Sequence, residues 1–272
     1  MSALRSKAAV PFDTLEAAES ATRGVVVRFF EYAGGLWYLL RDTLRYTVTL
    51  RFRPREVLQQ AYFLGVESWL IVALTAAFTG MVISLETVEQ AVQYGLQDFI
   101  GGSVAFGTLR ELGPMLAGGI VFAGRGGAAI AAQIGSMVVT EQVEALQAMG
   151  VSPVKALVVP RVLAAVLMVP LLTVFADIIG VYGGFIMAYW RVHLPPTVYW
   201  HSVQTTVVTS DFVKGLIKAA VFGMIVALVS SYEGLRTEGG AEGVGRSTTK
   251  AVVVSIILIF VFNFVLSYAL FG

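Results

Sequence analysis

The chain has 272 residues, of which 57% are hydrophobic and 14% charged, with a formal net charge of +1 and a mean hydropathy of +0.77. Such a balance is too apolar for a soluble domain of this size, so an all-α, multi-pass membrane protein is expected, with no nucleic-acid partner. There is no Cys, which removes disulfides and thiolate metal sites. The two His residues, His193 and His201, are too few for a histidine metal cluster and read as interfacial polar residues beside Trp190, Tyr199 and Trp200.

Residues 1–55 form a basic arm, with Arg5, Lys7, Arg23, Arg28, Arg41, Arg45, Arg51, Arg53 and Arg55 and no uninterrupted apolar region of the kind a cleaved signal requires. Within it, residues 25–40 mix aliphatic and aromatic side chains with Arg28 and Glu31, which suits an amphipathic helix lying in the headgroup layer. Gly34-Gly35 weakens that helix by roughly 1 kcal/mol per Gly.

Past Pro54, apolar runs measured against the ~20 residues needed to cross a bilayer give five spans, at 68–85, 112–139, 156–190, 212–231 and 251–271. The second carries Arg125 inside a small-residue run. The third is about 52 Å if helical throughout and is read as one tilted or bent helix, with Pro160 near its start and Pro170 inside. Lys and Arg concentrate in the N-terminal arm and in the segments after the second and fourth spans, so the positive-inside rule places the N-terminus in the cytoplasm and the C-terminus outside.

Between the second and third spans lies a short polar segment with helical spacing. Over 141–150, Glu141, Glu144 and Ala145 share one side while Val143, Leu146 and Met149 present an apolar one. Gly150 ends the helix, and Ser152-Pro153 resets the chain. The segment resembles the coupling loop of ABC-transporter permeases, whose Glu-Ala-Ala, three residues, Gly pattern is matched by Glu144-Ala145-Leu146 and Gly150, with Leu146 in place of the second Ala and Pro160 following. This docking helix and the positive-inside assignment were read from different residues, and both put the segment in the cytoplasm.

Leu109-Arg110-Glu111-Leu112-Gly113-Pro114, then Phe122-Ala123-Gly124-Arg125-Gly126-Gly127, then Thr140-Glu141-Gln142-Val143-Glu144-Ala145-Leu146 together resemble the signature of the MlaE/YrbE family of permeases, the membrane subunits of Mla- or MCE-type lipid ABC transporters. The Gly-rich run 239–249 is similar to that family's second cytoplasmic loop. The resemblance runs from about Pro54 to the C-terminus, so 56–272 is read as one permease domain. It implies a homodimer in the inner membrane, bound to ABC ATPase subunits on the cytoplasmic side and to an MCE-domain protein on the periplasmic side, moving phospholipid. ATP and Mg would belong to the ATPase, with no cofactor and no catalytic residue on this chain.

Charges at membrane depth cost roughly 2.5–3.5 kcal/mol each on insertion scales and are the best pointers to sites. Arg110 can meet a lipid phosphate with its planar fork, and Glu111 can meet an amine headgroup or hold Arg110 in place. Lys214 and Lys218, one turn apart, either add positive charge to the same mouth or snorkel to the interface. Arg125 and Asp177 are taken as structural intramembrane charges. The Gly-rich run 240–247 almost fits a phosphate-binding loop, but Arg246 stands where Lys is needed and no strand precedes it. It reads as a flexible connection, with Ser247, Thr248 and Thr249 available to cap the last span. Gly127, Ala131 and Gly135, and Gly180 with Gly184, make smooth stripes for helix contacts within or between subunits. A secondary transporter or channel using Asp177, Glu67 and Glu86 is the alternative. An intramembrane lipid enzyme is disfavoured, since neither a nucleophile elbow nor a paired-His metal motif is present.

Overall fold

The computed structural model describes residues 12–49 and 54–271. Their helices are α1 (Phe12–Val48), α2 (Pro54–Gly65), α3 (Trp69–Tyr94), α4 (Ile100–Gly107), α5 (Ala128–Val139), α6 (Gln142–Ala148), α7 (Val159–Val192), α8 (Pro196–Thr206), α9 (Thr209–Leu235) and α10 (Gly240–Phe271). No strand occurs among the described residues. Five helical stretches are long and apolar enough to cross a membrane: Pro54–Tyr94, Gln97–Val139, Val154–Val192, Thr209–Leu235 and Gly240–Phe271. In hydrocarbon only a helix or a closed barrel satisfies every backbone group, and the apolar runs of this chain take the first solution.

The spans alternate in direction, leaving α6 at one end of the bundle and α8 at the other. The core is built around α7 and α9. The first of these packs on α2, α3 and α9, and α9 packs in turn on α5 and α10. On α3, Val72, Gly80, Ser84 and Val88 are buried at spacings of four or eight, a narrow stripe of mostly small residues facing α7. A β-carbon at Gly80 would collide with the Gly180 carbonyl, one at Gly183 with Ala77's backbone, and Ser84 Oγ donates to Gly184 O at 2.7 Å. Backbone therefore meets backbone at this crossing. The Gly127 and Gly135 stripe is likewise used inside the chain, against Val226, Ser230 and Thr237. Leu70, Leu74, Phe78 and Val82 of α3 point outward, as do Ile257, Val261 and Phe264 of α10.

Three expectations are corrected. The first span is preceded by α2, continuous with α3 through a 3-10 turn at Val66–Ser68, and it runs on to Tyr94. The second begins near Gln97 rather than Leu112, because α4 docks on α8: Gly101 lies against the Tyr199 carbonyl, and Gly102 N donates to Ser202 Oγ at 2.9 Å. The segment between the third and fourth spans forms α8, anchored where the buried Tyr199 Oη donates to Val181 O at 2.9 Å. Its Trp200 joins Tyr182 and Phe185 of α7 in an aromatic cluster with ring centroids 5.0–5.8 Å apart.

The third correction concerns the glycine-rich run, which is the opening of α10 and not a flexible connection. Gly239 and Gly240, at φ 85° and 69°, make the turn, and the helix then proceeds with an Arg246–Glu242 pair one turn apart. Thr248 and Thr249 donate to the carbonyls of Val244 and Gly245, inside the helix, so they do not cap it.

At the N-terminal side, α1 continues through Gly34-Gly35. Gly35 is needed there because a side chain would overlap the Tyr232 ring of α9. Arg5, Lys7, Arg51 and Arg53 of the basic arm lie outside the described residues.

Candidate functional site

From Thr108 to Val121 the second span is a wide, π-helical stretch with Pro114 inside it. Pro114 has no N–H, so it cannot make the π-helical bond to the Leu109 carbonyl five residues back. The neighbouring Arg110 carbonyl accepts from Lys218 Nζ at 2.8 Å. The same ammonium donates to Glu111 Oε2 at 3.0 Å and to Ser267 Oγ at 2.9 Å, which uses all three of its protons. Lys218 is fully enclosed. Glu111 also accepts from Asn263 Nδ2 at 2.9 Å and from Ser267 Oγ at 2.8 Å. One carboxylate thus ties the second, fourth and fifth spans together.

Arg110 turns the other way. Its Nη2 is 2.8 Å from Asp211 Oδ1, and its guanidinium lies over the rings of Phe106, at 4.0 Å, and Phe271, at 4.5 Å. Lys214 Nζ sits 5.1 Å from the centre of the Phe271 ring and Lys218 Nζ 5.6 Å from it, so three cations surround one aromatic face. The structure therefore brings the four residues Arg110, Glu111, Lys214 and Lys218 together. Asp211, Asn263, Ser267 and Phe271 complete the cluster and escaped the reading of the sequence. Asn263 and Ser267 are polar residues four apart on an otherwise apolar helix, a signal that was available.

Arg125 lies apart from this group. It donates to Phe63 O and Ser68 Oγ, each at 2.7 Å, and pairs with Glu67 at 2.6 Å, pinning the α2–α3 turn to the second span. Asp177 is buried on α7 beside Gly113, where any side chain would overlap its carboxylate, and its Oδ1 has no hydrogen-bond partner.

At the opposite end, α6 projects from α5. Glu141 precedes it in the left-handed region at φ 59°, a strained conformation for a residue with a side chain. Its carbonyl accepts from Ala145 N at 3.0 Å. The helix closes with Gly150 N on Gln147 O and Val151 N on Leu146 O, both 2.9 Å, and Gly150 takes the left-handed conformation this closure demands. Val143 is buried and holds the helix down, while Leu146 is half-buried. Glu141, Glu144, Ala145, Met149 and Gly150 are exposed. No metal-binding group of three or more His, Cys, Asp or Glu side chains occurs among the described residues.

Comparison with known proteins places these features in a family. The family described as Permease MlaE matches residues 57–269. A "Probable ABC transporter permease protein" of Synechocystis is 39% identical over 243 residues, covering 89% of this chain and 92% of that protein. One of the same description from Rickettsia typhi is 42% identical over 215 residues, covering 79% and 83%. The "Intermembrane phospholipid transport system permease protein MlaE" of Haemophilus influenzae is 32% identical over 254 residues, covering 93% and 97%. With five apolar helices able to cross a membrane and a match over nearly all of its length beyond the N-terminal arm, the chain belongs to the MlaE permease family and is a multi-pass transporter permease.

Proposed function

We propose that this permease moves phospholipid between membranes as part of an ABC transporter, driven by ATP hydrolysed with Mg on a separate ATPase that docks on α6. The observation that carries the reading is α6 itself, a short helix held by one buried residue that offers Glu141, Glu144 and Ala145 to a partner. The name of the Haemophilus relative supports phospholipid as cargo. The distribution of Lys and Arg supports an inner-membrane orientation with α6 and the N-terminus cytoplasmic and the C-terminus periplasmic. Two copies, with an MCE-domain protein at the α8 end, complete the proposed assembly.

Within it, Arg110 and Lys214 retain partial exposure and are the residues proposed to meet a lipid phosphate, while Glu111 and Lys218 hold the wall behind them. The secondary-transporter reading gains no support from its three carboxylates. Glu67 is paired with Arg125, Asp177 is buried beside Gly113, and Glu86 is exposed about 28 Å of helix rise beyond Glu67.

Charge reversal tests the docking. Glu144→Lys is expected to insert normally yet lose co-purification of the ATPase and ATP-dependent lipid transfer between vesicles. Unchanged ATPase binding and transfer in that variant would remove the coupling role of α6.

A further inference from the structure

Under α6 lies a cavity of about 600 Å³ that the proposed ATPase contact does not use. This is within the usual range for small-molecule sites. Its apolar wall includes Met137, Leu146, Met149 and Leu157; Lys155 and Arg161 supply positive charge, and Glu56 at its edge supplies one negative charge. Arg161 is nearly fully buried, at 6% exposure. Its Nη1 donates to Leu157 O at 2.7 Å and its Nη2 to the Gln133 amide oxygen at 3.3 Å, while Nε has no partner. Among the described residues no carboxylate pairs with it. A buried guanidinium served only by neutral oxygens lacks the counter-charge that usually accompanies such burial.

The Gln60 amide oxygen, in the wall of the same cavity, is buried without a donor. With two cations against one carboxylate in the lining, and only neutral oxygens on Arg161, the cavity suits a group that brings negative charge to Arg161 and a hydrogen-bond donor to Gln60. Position along the span narrows the choice further: Arg161 stands seven residues into the 39-residue span that starts at Val154, about 10 Å along it, nearer its end than its middle. We propose that this cavity binds the hydroxyl-bearing anionic headgroup of a phospholipid in the cytoplasmic leaflet, with phosphate on Arg161 and acyl chains leading away over Met137 and Leu157. Leu146 and Met149 of α6 form part of the wall, so an occupied site braces the docking helix from beneath. The leaflet rests on the cytoplasmic placement of α6 proposed above; the charge and cavity do not.

Native mass spectrometry of the purified complex, titrated with phosphatidylglycerol or phosphatidylcholine, tests the site. Phosphatidylglycerol is expected to bind about tenfold more weakly to Arg161→Gln than to the parent, as expected for losing a hydrogen bond to a charged group, with partial recovery in Arg161→Lys. Ala156→Trp, which fills the cavity without touching a charge, should show a similar loss and keeps the test alive should Arg161→Gln fold poorly. Phosphatidylcholine binding should be unchanged by any of these. Parent-like phosphatidylglycerol binding in Arg161→Gln or Ala156→Trp, or equal loss of both lipids, overturns the proposal. Displacement by millimolar inorganic phosphate would assign the site to a free anion and overturn the lipid assignment. ATP-driven transfer by the parent is measured in parallel: its absence alongside headgroup-selective binding at Arg161 would sink the transport function while leaving this site in place.

Discussion

The two ends of the bundle treat buried positive charge in opposite ways. At the α8 end Lys218 is enclosed by a carboxylate, a hydroxyl and a carbonyl, each within 3.0 Å, and Arg110 faces the buried Asp211. At the α6 end Arg161 is just as hidden but has only a carbonyl and an amide for company. A cation whose protons are all taken up by the protein serves the fold. One that the fold leaves without counter-charge is free to serve a ligand, and buried positive charge thus carries different meaning at the two ends.

The largest expected effect that would break this contrast is at Lys218. Lys218→Met leaves Glu111 without its ammonium and removes the bond to the Arg110 carbonyl, and should destabilise the protein by about 3–5 kcal/mol. Adding Glu111→Gln to it should recover part of the loss, because the orphaned charge goes too. A thermal melt in detergent that does not move would show that the network is not structural. Arg110→Ala comes next, at about 2–3 kcal/mol, since it strands the buried Asp211, and Arg110→Lys should cost less by keeping the charge. Arg110→Ala should also strip bound phospholipid from the purified complex, and lipid retained at the parent's level would remove Arg110 from the proposed lipid site. The smallest effect belongs to the other end. Arg161→Gln gives up hydrogen bonds of about 1 kcal/mol each and also removes a costly buried charge, so the two changes nearly offset, and its melting should stay close to the parent's. A collapse comparable to that of Lys218→Met would erase the distinction between the ends.

Much of the bundle was legible from hydropathy, because a run of apolar residues in lipid has few options besides a helix. The boundaries were less so. The opening of α10 looks like a loop in composition, yet it becomes helix because Gly239 and Gly240 absorb the turn and Lys250 reaches Glu233 of α9 at 3.1 Å. The last of these is a tertiary contact that local propensity does not encode. In α8, Tyr199, Ser202 and Val203 at helical spacing after two prolines were a readable signal that a short interfacial segment can be a helix. At the site, Arg110, Glu111, Lys214 and Lys218 stood out as charges at membrane depth. Their partners did not, since Asp211 is 101 residues from Arg110 and Ser267 is 156 from Glu111. Arg161 was passed over because one Arg beside a proline at the edge of a long span resembles any interfacial anchor until its surroundings are known.

The close crossing of α3 and α7 has a mechanical consequence. With Gly80 seated on the Gly180 carbonyl, Gly183 on Ala77 and Ser84 bonded to Gly184, the two helices are keyed like a shaft in its collar, and axial slip would require a carbonyl to climb past a neighbouring backbone. Helix α7 alone is 34 residues, about 51 Å of rise, and only five residues separate α6 from the π-helical segment Val154–Val158 that leads into it. Under the proposed docking on α6, a torque applied there would reach the far side of the bundle as rigid tilting of the α3–α7 pair, with little lost to sliding between them.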